Sequence, residues 1–172
     1  ELDGIHFAME YLPLQNKRCE GDEISDDDFI TAAGKRVVII GGGDTGADCI
    51  GTALRHGCRR LVNFELLDQP PADRAEDNPW PEWPRIYRVD YSHAETEAKF
   101  GDDPRQFAIL THEFVDDGGG SVCGLKTVNI DWSIPTDGGP PWTEVEGSEK
   151  IWPADLVLLA TGFLGPEKGA GE

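Results

Sequence analysis

The chain has 172 residues, 38% hydrophobic and 28% charged, the ordinary mix of a soluble globular protein with room for one core. A formal net charge of −18 repels phosphate backbones and anionic lipid, and no apolar run approaches a membrane span, so neither nucleic acid nor membrane is an expected partner. Cys19, Cys49, Cys58 and Cys123 lie apart, with no CxxC pair and no histidine at ligand spacing, which argues against zinc or an iron–sulfur cluster here and leaves reduced structural thiols.

There is no initiator Met and no leader, so the chain reads as a fragment. In ELDGIHFAMEYLPLQN, Ile5, Met9 and Leu12 recur at helical spacing, and Pro13 is expected to end that short helix. The acidic stretch from Glu20 to Gly34 reads as a surface connection, and residues 1–34 together as a lead-in from a preceding domain. Residues 35–40 (KRVVII) form a β-branched run without alternation, as in a parallel strand covered on both faces. After three glycines, Ala47, Ile50 and Leu54 share one helical face, predicting a helix from about Thr45 to His56 with Gly57 as its cap. LVNFELL at 61–67 follows, completing one βαβ unit.

Residues 68–93 hold five prolines and two tryptophans, too dense for a helix or central strand, and form either a functional excursion or a packed surface loop. A short helix is expected around Ala94–Phe100. FAILTHEFV (107–115) and SVCGLKTVNIDWS (121–133) flank DDGGG as a hairpin, and WTEVEGSEKIW (142–152) adds a third antiparallel strand. ADLVLLATGF (154–163) returns to an unbroken apolar run, a further buried strand. The predicted fold is α/β: a Rossmann-like parallel sheet flanked by helices, spanning 35–163, with a small antiparallel meander inserted at about 107–152.

Gly41, Gly43 and Gly46 fit GxGxxG between a predicted strand and a predicted helix, the setting in which that pattern means dinucleotide binding. The first glycine permits the tight turn, the second admits a pyrophosphate close to backbone, and the third lets helix and strand pack; the free amides of the helix start attract the anion. Asp44 and Thr45 serve either as helix caps or as direct contacts. Glu65 lies nineteen positions after Gly46, where an acid accepts hydrogen bonds from the adenosine ribose and repels a 2′-phosphate, favouring NAD over NADP. Arg59 and Arg60 precede the strand and do not reverse that preference, whereas Arg74 on the following loop could. No GxSxG occurs, and His6, His56, His93 and His112 have no evident nucleophile partner, so no catalytic side chain is singled out.

GKRVVIIGGGDTGADCIGTALRHGC, VNFELL, RAEDNPWPEWPRIYRVDY, KFGDDPR and EVEGSEKIWPADLVLLATGFLGPE, in that order, resemble the pyridine-nucleotide domain of the glutamate synthase small subunit, or the equivalent region of NADH-dependent glutamate synthases. NPWPEWP is the more specific part. The resemblance implies a flavoprotein in which NADH, or NADPH, reduces FAD, with iron–sulfur clusters and FMN carrying electrons onward to make glutamate from glutamine and 2-oxoglutarate. It assigns Gly41, Gly42, Gly43, Asp44, Thr45 and Gly46 to the pyrophosphate, Glu65 to the ribose, and Thr161 and Gly162 to the cofactor and the junction with the FAD domain. Residues 164–172 would begin the return to that domain. The large synthase portion, fused or separate, and the FAD domain are the implied partners; cytoplasm, or plastid in a plant or alga, is the implied location. Ser92, His112 and the threonine of LLATGF depart from the family pattern, and none touches the turn. Another flavoprotein of the same two-dinucleotide plan, or a non-catalytic docking remnant, are the alternatives.

Overall fold

The computed structural model describes residues 2–134, 138–163 and 165. Among them, five strands form a parallel sheet in the order β1–β9–β2–β3–β4, with β1 at Ile5–Phe7, β2 at Arg36–Ile40, β3 at Arg60–Phe64, β4 at Arg105–Gln106 and β9 at Leu156–Leu159. The last strand in sequence therefore lies at the heart of the sheet, between β1 and β2. Helices α1 (Ala8–Glu20), α2 (Asp44–Arg55) and α3 (Tyr91–Phe100) complete the α/β plan.

Alternate residues of the central strands face opposite ways. Val37 and Ile39 of β2, with Leu156 and Leu158 of β9, join Tyr11, Cys49, Ile50 and Ala53 of the helices in one core. Val38 and Val157 join a second core with Val122, Leu125 and Ala154. That second face is covered by an antiparallel sheet of β5 (Ile109–Asp116), β6 (Val122–Asp131), β7 (Thr143–Glu144) and β8 (Lys150–Pro153). The inserted meander is thus a third layer, and both faces of the apolar strands are buried, as their lack of alternation requires.

Several elements differ from the sequence expectation. Ile5 opens a strand, and Pro13 sits inside α1, which runs on to a left-handed Gly21. A proline in mid-helix forfeits one backbone hydrogen bond. The helix is held through that point by tertiary contacts: Tyr11 is fully buried, and Gln15 Oε1 accepts a 2.7 Å hydrogen bond from His56 Nε2. Residues 5–20, read as part of a lead-in, hence supply an edge strand and a helix of this sheet. The single strand expected at 142–152 is two short strands, both paired to β6, separated by a turn with Gly147 at φ +76°. α3 begins three residues earlier than expected, at Tyr91, because Asp90 caps it by accepting from the Ser92 amide. The segment 164–172 lies outside the described residues, apart from Gly165.

Candidate functional site

The glycine turn joins β2 to α2 at the carboxyl ends of the parallel strands. Gly41 has φ +112°, and a Cβ there would sit 2.2 Å from the Ala160 carbonyl oxygen of the neighbouring strand end. A Cβ on Gly46 would sit 2.3 Å from the Gly41 oxygen, so helix and strand meet there backbone to backbone. The turn is further held by its neighbours: the Gly41 amide donates to Phe64 O at 2.9 Å, and buried Asn63 donates from Nδ2 to Gly41 O at 2.9 Å. A Cβ on Gly43, by contrast, would meet no atom of the described residues within 4 Å beyond its own chain neighbours.

Gly43 is the N-cap of α2, and no side chain caps the helix. Asp44, with Thr45 after it, therefore lies inside the first turn, correcting the capping role open to both from sequence. The amides of Asp44, Thr45 and Gly46 precede the first intrahelical bond, Ala47 N to Gly43 O at 3.1 Å, and remain available as donors.

A cleft of about 920 Å³ lies over this turn, lined by Gly42, Gly43, Asp44 and Glu65 on one side and by residues of the 68–93 loop on the other. Gly41, Thr45 and Gly46 are not among its lining residues. Thr161 and Gly162 are exposed beyond the end of β9 and do not line the cleft, although the Thr161 amide lies 3.3 Å from where a Gly41 Cβ would be.

Glu65 follows β3. Its backbone is fixed on both sides by the residues entering β5: its amide donates to Gln106 O at 2.9 Å, and its carbonyl accepts from Ile109 N at 3.0 Å. Its side chain leans over the turn, with Oε1 1.3 Å from where a Cβ on Gly42 would be. The carboxylate accepts no hydrogen bond from the described residues. Burial pushes its pKa up, opposed by the charge of Arg105.

Arg105 was not singled out by sequence, yet it lines the cleft with its side chain only 6% exposed. Asp103 bridges it at 2.7 Å, and Arg105 also donates to Arg88 O at 2.7 Å. Burial alone would raise the Asp103 carboxyl, but hydrogen bonds from Arg105 and Tyr87 outweigh it and hold that group well below the usual carboxylate range. His93, also in the cleft, has its pKa lowered chiefly by burial and accepts from the Asp90 amide at 3.1 Å.

The proline-rich segment is an ordered wall. Asn78, 1% exposed, donates to Glu82 Oε2 and Trp83 O and accepts from the Arg85 amide at 2.8 Å. Arg74 donates to Asn78 O at 2.9 Å and Glu82 O at 3.0 Å, so it is occupied within the loop and does not line the cleft. Arg60 pairs with Asp102 at the far end of β3. The sequence marked this wall by its composition and by NPWPEWP, neither of which showed Asn78 as its hub.

No family model matches the chain. It is 52% identical over 167 residues to a Schizosaccharomyces pombe protein named glutamate synthase (NADH), covering 97% of this chain and 8% of that protein. It is 42% identical over 165 residues to a Bacillus subtilis protein named glutamate synthase (NADPH) small chain, covering 96% of this chain and 34% of that one. The chain thus spans under a tenth of the first relative and about a third of the second. Among solved structures, Mycobacterium tuberculosis FprA in complex with NADPH matches with a TM-score of 0.58 at 16% identity, covering 99% of this chain and 47% of the other, a shared fold.

Proposed function

This chain is of one family with the matched segment of the glutamate synthases, and from that premise we propose that it is their pyridine-nucleotide-binding part, holding NADH in the cleft above the Gly41–Gly46 turn. The observation that carries this is the Glu65 carboxylate: half-buried, without a hydrogen-bond donor among the described residues, and poised over Gly42 beside the open amides of α2. The carboxylate opens on the cleft as an acceptor, and a ribose diol supplies two donors to it. The amides of Asp44, Thr45 and Gly46 face an anion at a helix N-terminus, and Gly43 leaves backbone open to it. The nicotinamide, when bound, supplies the hydride.

Nothing in the cleft is arranged as a nucleophile with its base, so the chain's own part is to bind, orient and exclude. Its partners in this reading are an FAD domain that accepts the hydride and a large synthase portion, with FMN and iron–sulfur clusters, that makes glutamate. Asp44, Thr45 and Gly46 offer their amides to the pyrophosphate, Gly42 lies beneath the Glu65 carboxylate, and Thr161 and Gly162 face the FAD side. The names of the two relatives divide between NADH and NADPH; the preference for NADH rests on Glu65, whose charge repels a 2′-phosphate. Calorimetric titration of the purified full-length protein with NAD+ and NADP+ tests this. Tighter NAD+ binding is expected; equal or reversed affinities refute the preference, and binding of neither refutes the site.

A further inference from the structure

We propose that Gly42 sets the nucleotide preference of the cleft by leaving vacant the volume that the Glu65 carboxylate fills; this rests on the NAD(H) reading above. Each of the three consecutive glycines answers to a different neighbour. Gly41 needs its left-handed backbone and its approach to Ala160, and Gly43 borders open space. Gly42 does not have the left-handed φ that favours glycine, yet the three atoms nearest its hypothetical Cβ all belong to one side chain: Glu65 Oε1 at 1.3 Å, Cδ at 1.7 Å and Oε2 at 2.0 Å. A methyl group and the carboxylate cannot share that volume.

The Glu65 backbone is clamped by Gln106 and Ile109, so only its side-chain torsions can yield. With no hydrogen bond holding the carboxylate among the described residues, a side chain at 42 swings it off the turn rather than unfolding the strand. Once displaced, it neither accepts the ribose hydroxyls nor repels a 2′-phosphate. The sequence pattern GxGxxG leaves position 42 free; the structure makes it a positioning residue for Glu65.

The test is a double-mutant cycle in the full-length protein, with NAD+ and NADP+ affinities measured for wild type, Gly42→Ala, Glu65→Ala and the double variant. Gly42→Ala is expected to weaken NAD+ about tenfold or more, the worth of a hydrogen bond to a charged acceptor, while NADP+ binding holds or tightens. In the Glu65→Ala background the same substitution should change neither affinity. Equal losses for both nucleotides that persist without Glu65 would show a merely distorted turn and overturn the inference, as would no change at all. A folded wild-type protein that binds neither nucleotide overturns the cofactor reading instead.

Discussion

On the proposed reading, replacing Gly43 by valine separates binding from folding, because the added side chain would meet cofactor rather than the described protein atoms. Among the described residues, no atom beyond its own chain neighbours lies within 4 Å of the Gly43 Cβ position, and the residue's φ of −77° and ψ of −174° are extended values that valine adopts readily. The cost to the fold is that of a poor N-cap, below about 1 kcal/mol, or roughly 2–4 °C in Tm for a chain of this size. The cost to binding is larger. A branched side chain there moves the pyrophosphate off the α2 amides, forfeiting about two charge-assisted hydrogen bonds at roughly 1.5–3 kcal/mol each. Affinity for NAD+ should fall by about 10²–10⁴ in calorimetry, with a circular dichroism melt close to wild type. Gly46→Ala provides the contrast: its Cβ would meet the Gly41 oxygen at 2.3 Å, so the melt itself should drop. Undiminished NAD+ affinity in folded Gly43→Val refutes the placement of the pyrophosphate.

Asn78→Ala removes the hub of the cleft wall, losing three hydrogen bonds within the loop; limited proteolysis should then cut between residues 70 and 90 faster than in wild type, with little change in the main unfolding transition. Unchanged cleavage would mean that the prolines alone hold the wall. Binding should also depend on acidity. On the proposed reading the ionised Glu65 carboxylate would accept the diol, and burial raises its pKa above the ordinary 4.5, so NAD+ affinity should decline on acidification from a pH above that value, and Glu65→Gln should flatten the decline. A decline setting in only below the ordinary glutamate range would argue that the carboxylate titrates as a solvated group.

Legibility from sequence followed the range of the forces involved. The glycine turn, β2, α2 and the buried β9 were readable because local backbone demands and apolar runs are written in consecutive residues. α1 was misjudged at Pro13 because the contacts that carry the helix past it, Tyr11 in the core and Gln15 to His56, come from residues distant in sequence. The strand at 142–152 divided because both halves pair with different parts of β6, a matter of register rather than propensity. Glu65 was singled out by its spacing, but its seat on Gly42 was not legible, and Arg105 gave no sign of burial, since a short basic-acidic segment ordinarily stays in water.

The inserted antiparallel layer ties these pieces to the site. A strand-end glutamate would ordinarily point to solvent with a free choice of rotamers, and its contribution to selectivity would be diluted accordingly. Here the chain leaving β4 bonds Glu65 through both Gln106 and Ile109, and Ala108 between them takes φ +54°, a costly value for a non-glycine residue, while its amide donates to Leu67 O at 3.0 Å and its carbonyl accepts from Ile130 N at 2.9 Å. Trp132, just past β6, donates to Leu66 O at 3.0 Å. The backbone from Glu65 to Leu67 is therefore pinned at each residue by segments that lead into or out of the meander. With its main chain fixed, Glu65 has only side-chain torsions left, and Gly42 provides the volume that receives it. On the proposed reading the meander thus aligns the charge that would discriminate between the two nucleotides, so that a domain whose nucleotide turn is local would draw on a distant sheet to read the ribose.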